Sequence, residues 1–266
     1  MMRVPAADDV TLDRFLGGKV AILQPRTGHR AGLDAALLQA AVPAGSTDTA
    51  LDFGTGVGAV AFSIAARSPA MRVFGLEIDT GLLALANEAN SLPENAALAG
   101  RVAFACLDLS HGHGGRTAAG IAERLADWVV MNPPFNQKRA MARSPDRRRR
   151  VAHEAEDTLL DAWCRTAAAL LRPGGRIALI HRPEAIAEVL DALTGRFGDI
   201  RINPVHPRAG VPAGRILVRG ERGSRAPLQL LPALVVHETD GQFTAEADAI
   251  LRGNSDISFS WLGAPP

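Results

Sequence analysis

The run Asp52-Phe53-Gly54-Thr55-Gly56-Val57-Gly58 constrains this chain more than any other stretch. It joins Thr49–Phe53, which reads as a short buried strand, to Ala59–Arg67, which reads as an apolar helix. Three glycines between a strand and a helix N-terminus let the backbone turn tightly and let a ligand come close to it. A nucleotide-like ligand is therefore expected at this turn. With Ala59 the same residues also satisfy G-x-G-x-x-A, so the glycines alone fit NAD as well as S-adenosylmethionine. Asp52 tilts the choice, because a carboxylate beside the turn repels a pyrophosphate and attracts an ammonium and a sulfonium.

The pattern repeats along the chain. A second strand at Arg72–Glu77 precedes a helix that Asp79-Thr80 caps and that runs to about Ser91. Residues 102–107 form a third strand and 127–131 a fourth, which ends at Asn132-Pro133-Pro134 because proline cannot continue a central strand. A helix over 158–171, a turn at Pro173-Gly174-Gly175, a strand over 177–180 and a helix over 183–193 follow. The segments 199–205 and 215–218 are close enough in sequence to pair antiparallel. Such alternation predicts an α/β fold: a Rossmann-like, doubly wound, mostly parallel seven-stranded sheet with one antiparallel strand near the C-terminus. Residues 1–45 read as a small N-terminal extension, with a strand over 20–23 and a helix over 33–41, and are a candidate lid. Residues 46–266 read as the main domain, closing with a strand over 228–237 and a short helix over 244–251.

Open α/β sheets place ligands at the carboxyl ends of their strands, and the acids there are the candidate contacts. Glu77 ends the second strand, where it can accept hydrogen bonds from both hydroxyls of a ribose, with Ile78 against an adenine face. Asp108 follows the third strand and can accept from an adenine amino group. Asn132-Pro133-Pro134-Phe135 closes the fourth. An adenine amino or amide nitrogen is planar and a poor nucleophile, since its lone pair is delocalised. Two acceptors, the Asn132 side-chain oxygen and the Pro133 carbonyl, can each take one N–H and draw the nitrogen towards tetrahedral geometry. The prolines bring no competing N–H. Phe135 can stack on a planar base.

The tetrapeptide resembles the (N/D)-P-P-(Y/F) motif of class I N-methyltransferases. More closely, the chain is similar to the bacterial family of N6-adenine methylases acting beside the anticodon of a valine transfer RNA. The residues carrying this likeness are Phe15-Leu16-Gly17-Gly18, Gln24-Pro25, the run Gly28 to Asp34, the Asp52 turn, Glu77, Asp108, Asn132 to Phe135 and His237-Glu238. The resemblance implies that Arg30 and Asp34 belong to a segment closing over S-adenosylmethionine, whose product is S-adenosylhomocysteine. It also implies that Asp52, Gly54, Gly56 and Gly58 hold the methionine part, Glu77 and Ile78 the nucleoside, Asp108 the adenine, and Asn132 the target amine. The same tetrapeptide serves enzymes acting on protein glutamine, ribosomal guanine or DNA adenine, so those acceptors remain alternatives, and an NAD-dependent oxidoreductase is the alternative of another class. Leu33 departs from the group, which often has a hydroxyl residue there.

Charge bears on the partner. Of the 29 basic residues only Lys19 and Lys138 are lysine, an arginine bias that a GC-rich genome also produces. Its local concentration is more informative: Lys138, Arg139, Arg143, Arg147, Arg148, Arg149 and Arg150 face a single Asp146 directly after the tetrapeptide. A basic loop there suits phosphates, and hence a nucleic acid, transfer RNA in the first place. Arg215, Arg219, Arg222 and Arg225 are a second basic stretch that folding could join to it. His111 and His113 lack further ligands at metal-site spacing, so no metal is expected. Cys106 and Cys164 read as reduced thiols. No apolar run approaches the roughly 18 residues of a membrane span, and Met1–Val10 lacks a signal-peptide core, so a cytoplasmic enzyme is expected.

Overall fold

The structure is a computed structural model. It describes residues 9–28, 30–110, 124–134 and 147–257, with 147–158 as backbone only. The chain begins with an antiparallel hairpin, β1 (Val10–Phe15) and β2 (Val20–Pro25), followed by α1 (Leu33–Leu38) and a 3-10 turn to Ala41. Next come β3 (Thr49–Phe53), α2 (Ala59–Arg67), β4 (Arg72–Glu77), α3 (Thr80–Asn90), β5 (Val102–Cys106) and β6 (Ala126–Met131). The remaining elements are α4 (Arg147–Leu170), β7 (Leu171–His181), α5 (Ile186–Leu193), β8 (Phe197–Arg208), β9 (Arg215–Arg222), β10 (Gln229–Leu230), β11 (Leu234–His237) and α6 (Ala245–Leu251).

The central sheet has the order β10-β8-β9-β7-β6-β3-β4-β5, with β11 also on β8. β9 runs antiparallel to both β7 and β8, and the other pairings are parallel. The seven strands β8-β9-β7-β6-β3-β4-β5 are therefore the expected mostly parallel sheet with its antiparallel strand, and two short edge strands widen it to nine. Those two arise because the segment read as one strand over 228–237 is interrupted at Pro232, which cannot donate to a ladder.

β3 and β6 are buried almost throughout, as parallel strands covered on both faces must be. One core cluster packs Leu37 and Leu38 of α1, Phe62 and Ile64 of α2 and Leu85 of α3 against one face of the sheet. The other face carries Leu160, Trp163 and Leu170 of α4 and Val189 and Leu193 of α5. The N-terminal segment shares the first cluster, since Leu16, Val20 and Ile22 are buried in it.

Two segments differ from the sequence reading. α4 begins by Arg147, so Arg147–Arg150 are helical and do not belong to a loop. Arginine is a good helix former, and a stretch without apolar periodicity hides that. Pro173-Gly174-Gly175, read as a turn ahead of a strand, instead lies inside β7 at a register irregularity opposite Ala126 and Trp128.

Candidate active site

The site is built along the carboxyl edge of adjacent strands, starting at the turn after β3. Gly54, Gly56 and Gly58 have φ values of 65°, 57° and 85°. Around two of them the space is already filled: a Cβ on Gly54 would lie 2.7 Å from the Trp163 ring, and one on Gly58 would lie 2.7 Å from Phe104. A Cβ on Gly56 would meet nothing within 4 Å. Gly56 is therefore the glycine that leaves room for a ligand against the backbone.

Two buried acids hold this turn. The Thr55 hydroxyl donates to Asp52 Oδ2 at 2.6 Å, and Asp52 is only 2% exposed. Burial raises the Asp52 carboxyl from 3.8 to about 7; the nearby Glu77 adds to the rise, and the Thr55 hydrogen bond opposes it. Glu77 Oε2 accepts from the Gly56 N–H at 2.8 Å, and its Oε1 accepts from the Ile78 and Asp79 N–H groups at 2.8 and 2.9 Å. Glu77 thus fastens the glycine turn to the end of β4. Capping of α3 falls to Asp79, whose Oδ1 accepts from the Gly81 and Leu82 N–H groups. Ile78 projects outward, 61% exposed. Asp108, half-buried after β5, accepts from the Ser110 N–H at 2.9 Å and hydroxyl at 2.6 Å.

Since β3, β4 and β5 are neighbours, Asp52, Glu77 and Asp108 step across the sheet edge, each two residues further along than the register partner of the one before: Asp52 pairs with Gly75 and Glu77 with Cys106. Their order matches the order of ammonium, ribose and adenine along S-adenosylmethionine. With the open space at Gly56 and the exposed Ile78 side chain, these residues fit that group.

On the other side of β3, β6 ends at Asn132. Asn132 Oδ1 is buried and accepts no hydrogen bond among the described residues. Pro133 is buried and Pro134 exposed. Phe135, Lys138, Arg139 and Arg143 lie outside the described residues, as do His111 and His113.

Asn132 opens onto a cavity of about 360 Å³, whose walls include Arg30, Asp34, Leu37, Arg215 and His237. Arg30 donates to Pro25 O at 2.6 Å and Thr11 Oγ1 at 3.0 Å and pairs with Asp13. Asp34 takes the Arg215 Nε–H on both oxygens, at 2.9 and 3.0 Å. Gln24 fixes the same segment, accepting from the Ala31 N–H at 2.7 Å and donating to Asp13 at 2.6 Å. Sequence reasoning missed both Arg215 as the partner of Asp34 and Gln24 as a brace, although Gln24 stands in the run that carries the family likeness. The other basic residues near Arg215 do not gather around it: Arg219 lies over the Trp128 ring, and Arg222 bonds to the Leu171 carbonyl.

The model of the methyltransferase small domain matches residues 30–204. The chain belongs to this family. It is an S-adenosylmethionine-dependent methyltransferase. The oxidoreductase alternative left open by the glycines falls with that assignment. A Porphyromonas gingivalis relative named tRNA1(Val) (adenine(37)-N6)-methyltransferase is 32% identical over 245 residues, covering 88% of this chain and 91% of the relative. An Aeromonas hydrophila relative of the same name is 30% identical over 230 residues, covering 82% and 87%. A solved structure from Agrobacterium tumefaciens, described as a predicted O-methyltransferase, is 32% identical with a TM-score of 0.73, over 84% of this chain and 98% of that one. Among the described residues no helix is long and apolar enough to cross a membrane, and no three His, Cys, Asp or Glu side chains group as metal ligands.

Proposed function

We propose that this methyltransferase acts on the exocyclic N6 of an adenine in RNA, a transfer RNA, in the cytoplasm. The observation that carries the reading is the buried Asn132 oxygen at the end of β6, unmatched among the described residues, between the glycine-turn side of the sheet and the cavity. An unmatched buried acceptor is costly, and an amine bearing two N–H groups supplies what it lacks. The names of the Porphyromonas and Aeromonas relatives point to the same acceptor.

In this reading Asp52 pairs with the ammonium of the methyl donor, Gly54, Gly56 and Gly58 give it room, Glu77 holds its ribose, and Ile78 and Asp108 contact its adenine. Residues 1–45 form the extension that closes over the site. Asn132 and the Pro133 carbonyl each accept one N–H of the target amine, turning its lone pair outward. The donor supplies an electrophilic methyl carbon: the amine lone pair forms the N–C bond as the C–S bond breaks onto sulfur, and the extra proton leaves to water. Phe135 stacks on the base. Lys138, Arg139 and Arg147 to Arg150 meet the phosphates. The last four are helical residues of α4. They lie about 20 Å along the helix axis from Trp163, which packs beneath the glycine turn.

Labelled methyl transfer to separated transfer RNA, ribosomal RNA, DNA and protein tests the acceptor. N6-methyladenosine in transfer RNA is the expected product, and label in protein glutamine or in DNA instead would refute the reading. Asn132→Ala should abolish transfer while leaving S-adenosylhomocysteine affinity within about twofold; loss of both together would remove the role given to Asn132.

A further inference from the structure

We infer that the cavity beside Asn132 is the pocket for the acceptor base, and that Arg215, positioned by Asp34, selects adenine over guanine by donating a hydrogen bond to N1. The inference rests on the proposed RNA adenine acceptor and moves Asp34 from the cofactor to the substrate.

Topology separates the two halves of the site. The glycine turn, Glu77 and Asp108 sit at the ends of β3, β4 and β5, all on one side of β6. The cavity draws its walls from the other side: the end of β8 and start of β9 contribute Val205 and Arg215, β11 contributes His237, and α1 contributes Asp34 and Leu37. These ends share the sheet's carboxyl edge, because β9 starts opposite the end of β7, with His181 paired to Ile216. β11 runs parallel to β8, and its His237 pairs with Arg208. Asn132 stands where the two halves meet. None of Asp52, Gly54, Gly56, Gly58, Glu77 or Asp108 lines the cavity.

Size and chemistry fit a single base. A volume of about 360 Å³ is at the low end of small-molecule pockets, roughly 300–1,000 Å³, enough for one extruded nucleoside and too little for paired strands. The walls are mainly apolar, with one ion pair set among them. Arg215 Nε bonds both Asp34 oxygens and its Nη1 donates to Gly214 O at 2.7 Å, which fixes the plane of the guanidinium. Once Asn132 takes the amine, the next atom on the Watson–Crick edge separates adenine from guanine. In adenine the atom beside the N6 amine is N1, an acceptor, which suits a guanidinium because that group can only donate. In guanine the amine is flanked by an N1–H, and two donors would then face each other.

The test uses the full chain and a synthetic RNA stem-loop carrying the unmethylated target adenosine, with a second stem-loop bearing 1-deazaadenosine there. Wild-type protein is assayed first. If no N6-methyladenosine forms, the proposed acceptor fails and the base-pocket inference falls with it. If it forms, Arg215→Gln and Asp34→Asn should lower kcat/KM about tenfold to a hundredfold while S-adenosylhomocysteine binds within about twofold of wild type. The 1-deaza substitution should penalise the wild type by a similar factor and Arg215→Gln hardly at all, since the contact is already gone. Equal penalties in the two proteins would overturn the inference, as would loss of S-adenosylhomocysteine affinity in parallel with turnover. Arg215→Lys, which keeps the charge and loses the fork, guards against misfolding: a wild-type melting temperature with the same selective loss supports the assignment.

Discussion

Replacement of Asp52 by asparagine should make the ligand-free protein more stable above neutral pH and at the same time weaken its hold on the cofactor. Burial raises the Asp52 carboxyl from 3.8 to about 7, against the opposing hydrogen bond from Thr55. A rise of about three units corresponds to about 4 kcal/mol of differential stability, an order-of-magnitude figure. The folded state binds this proton more tightly than the unfolded chain does. The stabilisation is therefore complete below about pH 4 and is lost as pH rises through about 7. Asp52→Asn removes that step, and the titrations of groups not coupled to Asp52 cancel between the two proteins. Urea denaturation at intervals from about pH 5 to about pH 9 should show the difference in unfolding free energy changing by about 3 kcal/mol in favour of the variant, the share of the total that falls above about pH 5. A constant difference across that range would refute the assigned environment of Asp52.

The same proton links stability to function. An ammonium beside Asp52 selects the ionised carboxylate, so S-adenosylhomocysteine affinity should rise by up to about tenfold per pH unit below about 7 and level off above it. Binding at pH 6 should release close to one proton, which calorimetry in two buffers of different ionisation enthalpy measures directly. Release absent in wild type, or undiminished in Asp52→Asn, would remove the ammonium contact.

Gly56→Ala and Gly54→Ala should separate ligand space from packing. At Gly56 the positive φ costs about 1–2 kcal/mol and the new methyl enters open space, so S-adenosylhomocysteine affinity should fall more than about tenfold while the protein stays folded. At Gly54 the methyl meets the Trp163 ring at 2.7 Å, adding roughly 1–3 kcal/mol of overpacking to the same backbone cost, visible as a larger drop in melting temperature. Asp79→Ala removes the cap of α3 and should cost about 1 kcal/mol in denaturation without changing ligand affinity. Charge reversal across Arg147 to Arg150 should weaken RNA binding and flatten its salt dependence; unchanged turnover on the natural RNA would dismiss these residues as phosphate contacts.

The parts of the fold legible in the sequence are those fixed by local chemistry. β3, α2 and β4 begin and end where the sequence places them, because the glycine turn and Ser68-Pro69 bound them sharply. β1 was not legible: Val10-Thr11-Leu12-Asp13-Arg14-Phe15 shows alternation too short to stand out, and it becomes a strand by pairing residue for residue with β2. Asp52, Glu77, Ile78 and Asp108 were legible as candidates because a strand end followed by an acid is a local pattern. The Asp34–Arg215 pair was not, since its members are 181 residues apart and meet only once α1 and the start of β9 reach the same sheet edge. Sequence reasoning had joined Asp34 to its neighbours in the chain; the fold joins it to a different wall.

Neighbouring strand ends thus carry two unfavourable groups, a carboxyl that resists ionisation at Asp52 and an acceptor without a partner among the described residues at Asn132. Phe53 and Met131, each one residue away from one of them, are fully buried and pair across β3 and β6, so both groups emerge from a buried, paired stretch of the sheet. Each group lacks a particular partner: a cation at Asp52, a pair of N–H donors at Asn132. A hydroxyl acceptor would offer Asn132 at most one donor and leave the Pro133 carbonyl unmatched. The geometry that makes a planar amine reactive is therefore also the geometry that disfavours an oxygen acceptor, and both follow from ending β6 in an asparagine and two prolines.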